Sequence, residues 1–157
     1  MIEGLVLACA LASPITPDDL EYYWDCKDHN EMIYHMEDHI DIFSIYFPDQ
    51  EDLKRILRIG YCESRGKATA RNINKDGSDD LGILQFNSNT WYGWLKPKLK
   101  IKDDRTDVET SVAVASGLIR KDTKNKYGHG WYHWYPSAHC WDLENILGLR
   151  RNLRRNF

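Results

Sequence analysis

Apolar residues recur along the chain at the three- and four-residue spacing of helices that bury one face. The first such segment covers residues 16–26 and opens with a threonine-proline pair followed by acids, which favours a helix start. The second covers residues 28–47 and ends at a proline, and the third covers residues 49–64. A fourth predicted helix spans residues 106–119, where a capping box precedes further apolar positions. The pattern therefore predicts a mainly helical protein.

Between residues 70 and 89 the pattern changes from helical to extended. Asn74, Asp76 and Gly77 favour a turn, and they precede a short apolar run over residues 81–86. This segment predicts a small β-hairpin. The expected fold class is therefore α+β and mainly helical.

The 157 residues of the chain fit one catalytic domain. The apolar run within residues 1–13 is typical of a secretory signal, but it lacks a basic flank, so an N-terminal segment packed on the protein is an equal alternative. Residues 14–48 are expected to form a helical extension packed on a core of residues 49–157. Within that core, the sequence predicts a tryptophan-rich loop over residues 128–141 and a basic amphipathic segment over residues 143–157.

Charge and hydropathy narrow the classes of partner. The net charge is −3, which gives no overall attraction to nucleic acids. A local basic patch is formed by Arg150, Arg151, Arg154 and Arg155. Because no aromatic residues interleave with it, a solvated helix face is the favoured interpretation, with docking to an anionic polymer or membrane as the alternative. No apolar stretch is long enough to cross a bilayer as a helix, so neither nucleic acid nor a membrane span is predicted.

Glu63 and Asp80 are the candidates for acid-base chemistry. Glu63 ends the third predicted helix on its apolar face, where burial favours the neutral acid. Asp80 lies in a stretch rich in asparagine and serine, where hydrogen bonding favours the ionised form. A glycosidase needs such a pair, one carboxyl to protonate the leaving oxygen and one to meet the cationic sugar. Two acids among the 24 of the chain are a weak signal by themselves, so the surrounding residues decide.

The surrounding residues form a specific string. Glu63-Ser64 is followed by Asn72-x-Asn74-x-Asp76-Gly77-Ser78-x-Asp80-x-Gly82-Ile83-Leu84-Gln85-x-Asn87-Ser88-x-x-Trp91. This string resembles the active-site segment of animal (c-type) lysozymes, including the spacing of 17 positions between the two acids. A weaker likeness through Gly130-Trp131-x-x-Trp134 extends the resemblance over roughly residues 50–141.

Other features differ from the animal lysozymes and make the chain similar to phage and bacterial lytic enzymes, including lytic transglycosylases. The first 48 residues differ from the animal enzymes, most of the animal cysteines are missing, and Thr90 replaces an aromatic residue of the animal groove. The phage and bacterial enzymes share the Glu-Ser and Gly-x-x-Gln elements with fewer cysteines. The chain is therefore identified as a member of the lysozyme superfamily, of a phage or bacterial kind.

The resemblance implies a lysozyme-like helical bundle with a small β-hairpin flanking a substrate cleft. It also implies that Glu63 is the general acid and Asp80 the nucleophile or charge stabiliser. Trp131 is expected to pack on the acid, and Asn87 is expected to grip an N-acetyl group. The expected substrate-binding residues are Asn74, Ser78, Gln85, Asn87, Trp91 and Trp131.

The implied activity is that of a muramidase, which cleaves peptidoglycan between N-acetylmuramic acid and N-acetylglucosamine. One alternative is a lytic transglycosylase that uses Glu63 alone. Another is a non-catalytic glycan-binding or structural protein, since α-lactalbumin has this fold without catalysis. Peptidoglycan glycan strands are the expected partner of a secreted, periplasmic or virion-associated protein, monomeric unless it is part of a virion. No cofactor is expected, and no metal, because His35 and His39 lack a third ligand.

Four cysteines are too few for a disulfide scaffold. Animal lysozymes bridge the catalytic helix to the segment after the paired tryptophans, so the resemblance implies that Cys62 and Cys140 lie within about 7 Å between Cα atoms. In an exported protein these two would be bridged and Cys26 would be unpaired, because removal of the N-terminal segment takes Cys9 with it. In a protein kept inside a cell, they would be reduced thiols in contact.

Overall fold

The structure is a computed structural model that describes residues 9, 17–121 and 130–142. The basic segment predicted over residues 143–157 lies outside the described residues. So does the apolar segment 1–13, apart from Cys9.

Helices make up most of the described chain. In chain order they are α1 (Pro17–Met36), a 3₁₀ turn (Glu37–His39), α2 (Ile40–Tyr46), α3 (Gln50–Ser64), α4 (Ser88–Thr90), a π-helical stretch (Trp91–Leu95), α5 (Lys96–Leu99), α6 (Val108–Lys121), a 3₁₀ helix (Gly130–Ser137) and α7 (Ala138–Trp141). Strands β1 (Arg71–Ile73), β2 (Asp79–Leu81) and β3 (Phe86–Asn87) form one antiparallel sheet. The fold is α+β, mainly helical and lysozyme-like, as predicted. None of the described helices combines the length and apolar character that a membrane span needs.

The N-terminal helices divide differently from the prediction. Instead of helices over residues 16–26 and 28–47, α1 continues to Met36, and the break falls at the 3₁₀ turn Glu37–His39. Neither glycine nor proline occurs at the predicted break, so the helical backbone continues through it. The predicted apolar face is nevertheless buried, and its members are Met32, Ile33, Met36, Ile40, Phe43 and Phe47.

Helix α3 has strong local signals at both ends. Asp49 precedes it in an extended conformation, and its side chain accepts hydrogen bonds from the backbone N–H groups of Glu51 and Asp52. Arg65 ends the helix in the left-handed conformation, with φ of 54°. The residues predicted for the inner face are buried, namely Leu53, Ile56, Leu57 and Gly60. The last turn of this amphipathic helix contains Glu63.

Helix α1 packs directly on α3. Gly66, just after α3, has φ of +73°, and a Cβ atom there would lie 2.1 Å from the carbonyl oxygen of His35. Glycine is required by both the backbone conformation and this close approach. Arg58 of α3 also forms an ion pair with Asp28 of α1. The N-terminal helix is therefore closely joined to the helix that carries Glu63.

Two disulfides are present among the described residues. The Cα atoms of Cys62 and Cys140 are 6.0 Å apart in one of them, which confirms the predicted proximity. The prediction that Cys26 is unpaired applies to an exported chain without Cys9; in the structure, which retains Cys9, Cys26 is bridged to it with Cα atoms 5.6 Å apart.

The sheet has three strands, one more than the predicted hairpin. β1 and β2 pair with Asn72 opposite Asp80, and β2 pairs on its other side with β3, with Asp80 opposite Asn87. β3 is only two residues long, too short to show an alternating pattern in the sequence. The guanidinium group of Arg105 stabilises it by donating to one carbonyl oxygen of β2 and one of β3. The register brings one side chain from each strand to the same part of the sheet.

Two helical regions are absent from the sequence prediction. The first runs from α4 through the π-helical stretch to α5, and the second is the 3₁₀ helix with α7, where the sequence predicts a loop. Both regions contain glycine and proline and lack a repeating apolar face, so tertiary packing stabilises them more than local propensity does. Helix α6 begins at Val108 rather than at residue 106, because the Asp107 side chain accepts the backbone N–H of Thr110.

Candidate active site

A cavity of about 240 Å³ lies between the end of α3, the sheet and the 3₁₀ helix. Glu63 lines it from α3, and Asp80 lines it from β2. The other polar residues around it are Asn72, Gln85, Asn87, Thr90 and His133, and the apolar ones are Leu84, Phe86, Leu118, Trp134 and Pro136. The fold therefore brings the two predicted carboxylates to one cavity.

Glu63 is half-buried in the last turn of α3. Burial raises the pKa of its carboxyl above the ordinary value, the hydrogen bond with Ser137 lowers it, and the negative charge of Asp80 raises it. The net direction is upward. A carboxyl with a raised pKa stays protonated to higher pH, which is the state that a general acid needs.

Amide groups hold Asp80 from two sides. Asn87 Nδ2 donates to Oδ1 at 2.9 Å, and Asn74 Nδ2 donates to Oδ2 at 3.0 Å. The same two amides donate to Ser78 Oγ at 3.0 and 3.2 Å. Ser78 in turn donates to Asp76 Oδ1 at 2.6 Å. Three of the predicted substrate-binding residues thus form one network that orients the Asp80 carboxylate.

The amide groups of Asn87 and Gln85 line the cavity but are engaged within the protein. Asn87 uses Nδ2 on Asp80 and Ser78, and its Oδ1 accepts the backbone N–H of Asn89 at 2.9 Å. Gln85 Nε2 donates to two carbonyl oxygens of the neighbouring loop, both at 2.8 Å. Both Nδ2 protons of Asn87 are therefore engaged, and a hydrogen bond from this amide to the oxygen of an N-acetyl group would require an exchange of partners.

Neither of the two predicted sugar-binding tryptophans lines the cavity. Trp91 is fully buried, with 0% of its surface exposed, so the prediction that it contacts a sugar is wrong. Trp131 packs on Phe47, with 6.1 Å between ring centroids, and the guanidinium group of Arg55 lies 5.2 Å from its ring. Trp131 is not among the residues that line the cavity with Glu63.

Trp134 takes the place predicted for Trp131. It lines the cavity with Glu63, and its Nε1–H donates to the carbonyl oxygen of Leu84 at 3.0 Å. The two tryptophans are one 3₁₀ turn apart, which is about 6 Å along the helix axis. Only one of them can therefore stand level with the acid, and the Trp-x-x-Trp pattern does not indicate which.

Ser137 is a site residue that the sequence analysis does not include. It lies where the 3₁₀ helix meets α7, and its hydroxyl hydrogen-bonds to Glu63 across 74 positions of sequence. A signal for it exists, because Ser137 stands three residues before Cys140 and Cys62 directly precedes Glu63. A disulfide between those cysteines places a hydroxyl at position 137 near the acid.

A larger apolar groove of about 600 Å³ adjoins the cavity between α5 and α6. Leu118 of α6 lines both spaces. Trp94 stands at the groove with 40% of its surface exposed, and Lys98 Nζ lies 5.7 Å from its ring. Lys121 is a second cation at the groove. A flat aromatic face in a groove that also carries two ammonium groups suits a sugar that carries carboxylates.

Within residues 9, 17–121 and 130–142, no group of three histidine, cysteine or acidic side chains is placed to hold a metal ion. His39 Nε2 lies 3.0 Å from the carbonyl oxygen of Gly66, whereas His35 lies 4.0 Å from Glu31. The two imidazoles therefore contact different parts of the protein.

Comparisons with known proteins identify one matching family and one similar protein. The family described as the transglycosylase SLT domain matches residues 49–137, which include both carboxylates and the sheet. The chain is also similar to Lysozyme-like protein 1 of Mus musculus, with 33% identity over 85 residues that cover 48% of this chain and 55% of the mouse protein. The chain thus spans about half the length of the curated relative it matches. No solved structure matches the chain.

Proposed function

Because this chain belongs to the transglycosylase SLT domain family, we propose that it cleaves peptidoglycan between N-acetylmuramic acid and N-acetylglucosamine, as a muramidase. The observation that carries the proposal is the position of Glu63 and Asp80 on one cavity, each in its own kind of surroundings. One acid is half-buried with a raised pKa, and the other is held by two amide donors. This division between two carboxylates is the one on which lysozyme chemistry depends.

In the proposed reaction Glu63 donates its proton to the glycosidic oxygen, and the bond from that oxygen to the sugar C1 breaks. Asp80 meets the positive charge that develops at C1, either by forming a covalent bond to it or by stabilising it. Glu63, now ionised, then takes a proton from a water molecule whose oxygen attacks C1. The sugar leaves with a hydroxyl group at C1, and both carboxyls return to their starting states.

The network behind Asp80 supports this role. A nucleophile must keep its oxygens aimed at one atom, and a small displacement lowers the rate strongly. Asn74 and Asn87 each fix one oxygen of Asp80, and Ser78 fixes both amides. We therefore assign these three residues to positioning Asp80 rather than to direct binding of the glycan.

The groove beyond Leu118 supports a polymeric substrate. A glycan strand bound at Glu63 can continue over Leu118 to the exposed face of Trp94. Lys98 and Lys121 lie where the carboxylates of muramic acid or of its peptide would pass. Such a substrate implies a secreted, periplasmic or virion-associated setting.

A lytic transglycosylase is the second candidate, and the description of the matching family favours it. In that reaction Glu63 still protonates the leaving oxygen, but the C6 hydroxyl of the muramic acid attacks C1 in place of water. Glu63 takes the proton of that hydroxyl, and the product is an internal 1,6-anhydro ring. Asp80 is dispensable for this outcome.

Mass spectrometry of the muropeptides released from purified peptidoglycan tests the proposal. We expect products with reducing ends from the unaltered protein and a loss of activity in Asp80→Asn. Anhydro ends that persist in Asp80→Asn would replace the muramidase with the transglycosylase. If binding occurs and no muropeptide is released, the chain is a non-catalytic glycan-binding protein.

A further inference from the structure

We propose that Ser137 is a positioning residue that holds the carboxyl of Glu63 in both of its protonation states. The inference rests on the proposed role of Glu63 as the acid and base of the reaction. It adds a residue outside the segment that resembles the lysozyme active site, contributed by the junction of the 3₁₀ helix and α7. The assignment follows from three contacts of one hydroxyl group.

The Ser137 hydroxyl lies among three partners. Glu63 Oε1 is within hydrogen-bonding distance on one side. The carbonyl oxygen of Trp134 lies 3.0 Å away, and Trp141 Nε1 lies 3.0 Å away on the donor side. Trp141 Nε1 is also 3.0 Å from the Trp134 carbonyl oxygen. The hydroxyl therefore has two acceptors to which it can donate and one fixed donor.

A serine hydroxyl has one proton to donate and two lone pairs to accept with. When Glu63 is ionised, Ser137 donates to its Oε1 and accepts from Trp141. When Glu63 is protonated, the Ser137 proton turns to the Trp134 carbonyl, and its oxygen accepts from both Trp141 and Glu63. Each state leaves the hydroxyl with partners, and the change needs only a rotation about one bond, which is fast relative to turnover.

The same carboxyl must pass through both states in every proposed reaction cycle. Glu63 loses its proton when the leaving oxygen is protonated and regains one from the attacking hydroxyl group. A partner that could only donate would favour the ionised form alone. The Ser137 hydroxyl can act as donor or acceptor toward Glu63, so it holds the carboxyl in one position at both stages.

Removing the Ser137 hydroxyl should change the pKa of Glu63 in a defined direction. The hydrogen bond from Ser137 favours the ionised form of Glu63 and lowers its pKa against the larger effect of burial. Without that hydrogen bond the pKa of Glu63 rises further. The other titratable groups that line the cavity are Asp80 from β2 and His133 from the 3₁₀ helix.

The test combines a titration that does not depend on activity with a kinetic profile. The full chain is labelled with ¹³C at the glutamate side-chain carboxyls, and Glu63 is assigned by the signal missing in Glu63→Gln. Its titration is compared in the unaltered protein, Ser137→Ala, Ser137→Gly and Ser137→Thr. Ser64→Ala is the matched control, because the Ser64 hydroxyl is buried beside Glu63 but donates to Gly60 and Ile83.

We expect the Glu63 titration to move to higher pH in Ser137→Ala and Ser137→Gly and to return toward the original position in Ser137→Thr. The alkaline limb of the kcat profile should move the same way, with kcat about tenfold lower and KM little changed. Ser64→Ala should lower the melting temperature without moving either profile.

An unchanged Glu63 titration in a folded Ser137→Ala or Ser137→Gly protein would overturn the inference. The inference would also be overturned if the control Ser64→Ala shifted the Glu63 titration as much as Ser137→Ala and Ser137→Gly do. If the unaltered protein releases no muropeptides, the proposed function fails by itself, whereas the titration still decides whether Ser137 controls the protonation of Glu63.

Discussion

Glu63 and Asp80 share a cavity, but different neighbours support them. Glu63 has the hydroxyl of Ser137 and the apolar wall of Trp134, whereas Asp80 has amide donors on both oxygens. Because different neighbours favour different protonation states of the two carboxyls, one can act as acid and the other as nucleophile. Because the supporting residues are separate, each role can be tested without disturbing the other.

Glu63→Gln should abolish peptidoglycan cleavage while leaving the fold intact. The amide has the shape of the acid but cannot donate a proton, so the expected loss is about 10²–10⁴-fold in kcat. Release of muropeptides measures the loss, and near-ultraviolet circular dichroism checks the fold. Activity within a few-fold of the unaltered protein would rule out Glu63 as the general acid.

The same substitution should stabilise the protein at neutral and alkaline pH. The folded-state pKa of Glu63 is raised above its unfolded value, so folding binds an extra proton and stability falls as pH rises through the titration of the acid. Glutamine does not titrate, so the Glu63→Gln protein does not lose stability in this pH range. Thermal melts should show Glu63→Gln as the more stable protein above the titration range and as equal to the unaltered protein at acid pH. A difference that is constant with pH would contradict a raised pKa.

At the scale of elements, the acid depends on how α3 meets the end of the Gly130–Trp141 segment. The Cys62–Cys140 disulfide joins them one residue from Glu63, and Arg58 Nε donates to the Cys140 carbonyl oxygen at 3.1 Å. Ser137 adds the contact with the carboxyl itself. These links fix the distance between the acid and the wall that buries it.

Replacing Cys62 and Cys140 together with alanine should lower both stability and turnover. A disulfide that closes a loop of 78 positions stabilises a protein by about 2–5 kcal/mol, and its loss also frees the wall beside Glu63. The matched control replaces Cys9 and Cys26, whose separation is 17 positions and which lie far from Glu63 in the sequence. Denaturant melts and muropeptide release check the result. Equal effects of the two pairs on kcat would show that the Cys62–Cys140 link does not position the acid.

The elements that the sequence predicts well have local determinants. α3 begins at the cap Asp49, and α6 begins beside Asp107, and both continue with apolar residues at helical spacing. The 3₁₀ helix and the π-helical stretch have no such signals, because short helical stretches that contain proline or glycine are stabilised by what packs against them. Gly130 shows this dependence, since a Cβ atom there would lie 2.4 Å from Ile119 Cα of α6.

At the scale of the whole molecule, the cavity combines segments that are distant in the sequence. The spacing from Glu63 to Asp80 is local enough for a sequence pattern to identify both. The burial of Trp91, the exchange of Trp131 for Trp134 and the contact of Ser137 with Glu63 depend on tertiary packing. The sequence therefore predicts the carboxylates and their polar network, but not which residues form the opposite wall.

The groove between α5 and α6 gives the last prediction, which concerns long substrates. A Cβ atom at Gly117 would meet nothing within 4 Å, so the side chain in Gly117→Leu projects into open space at the groove. Leucine also has a better helix propensity than glycine, so the fold of α6 should not suffer. If a glycan strand passes from Glu63 over Leu118 to Trp94, this variant should raise KM for long strands about tenfold, which corresponds to about 1.4 kcal/mol of binding.

Gly117→Ala is the matched control, because its single methyl group leaves the groove open. Trp94→Ala should weaken binding of long strands by a similar factor, since it removes the aromatic face without filling the groove. Short oligosaccharides that occupy only the cavity at Glu63 should be cleaved equally by all three variants. If Gly117→Leu and Trp94→Ala leave KM for long strands unchanged, the strand does not follow this groove. If they impair short and long substrates alike, the effect reaches Glu63 through the fold rather than through the strand.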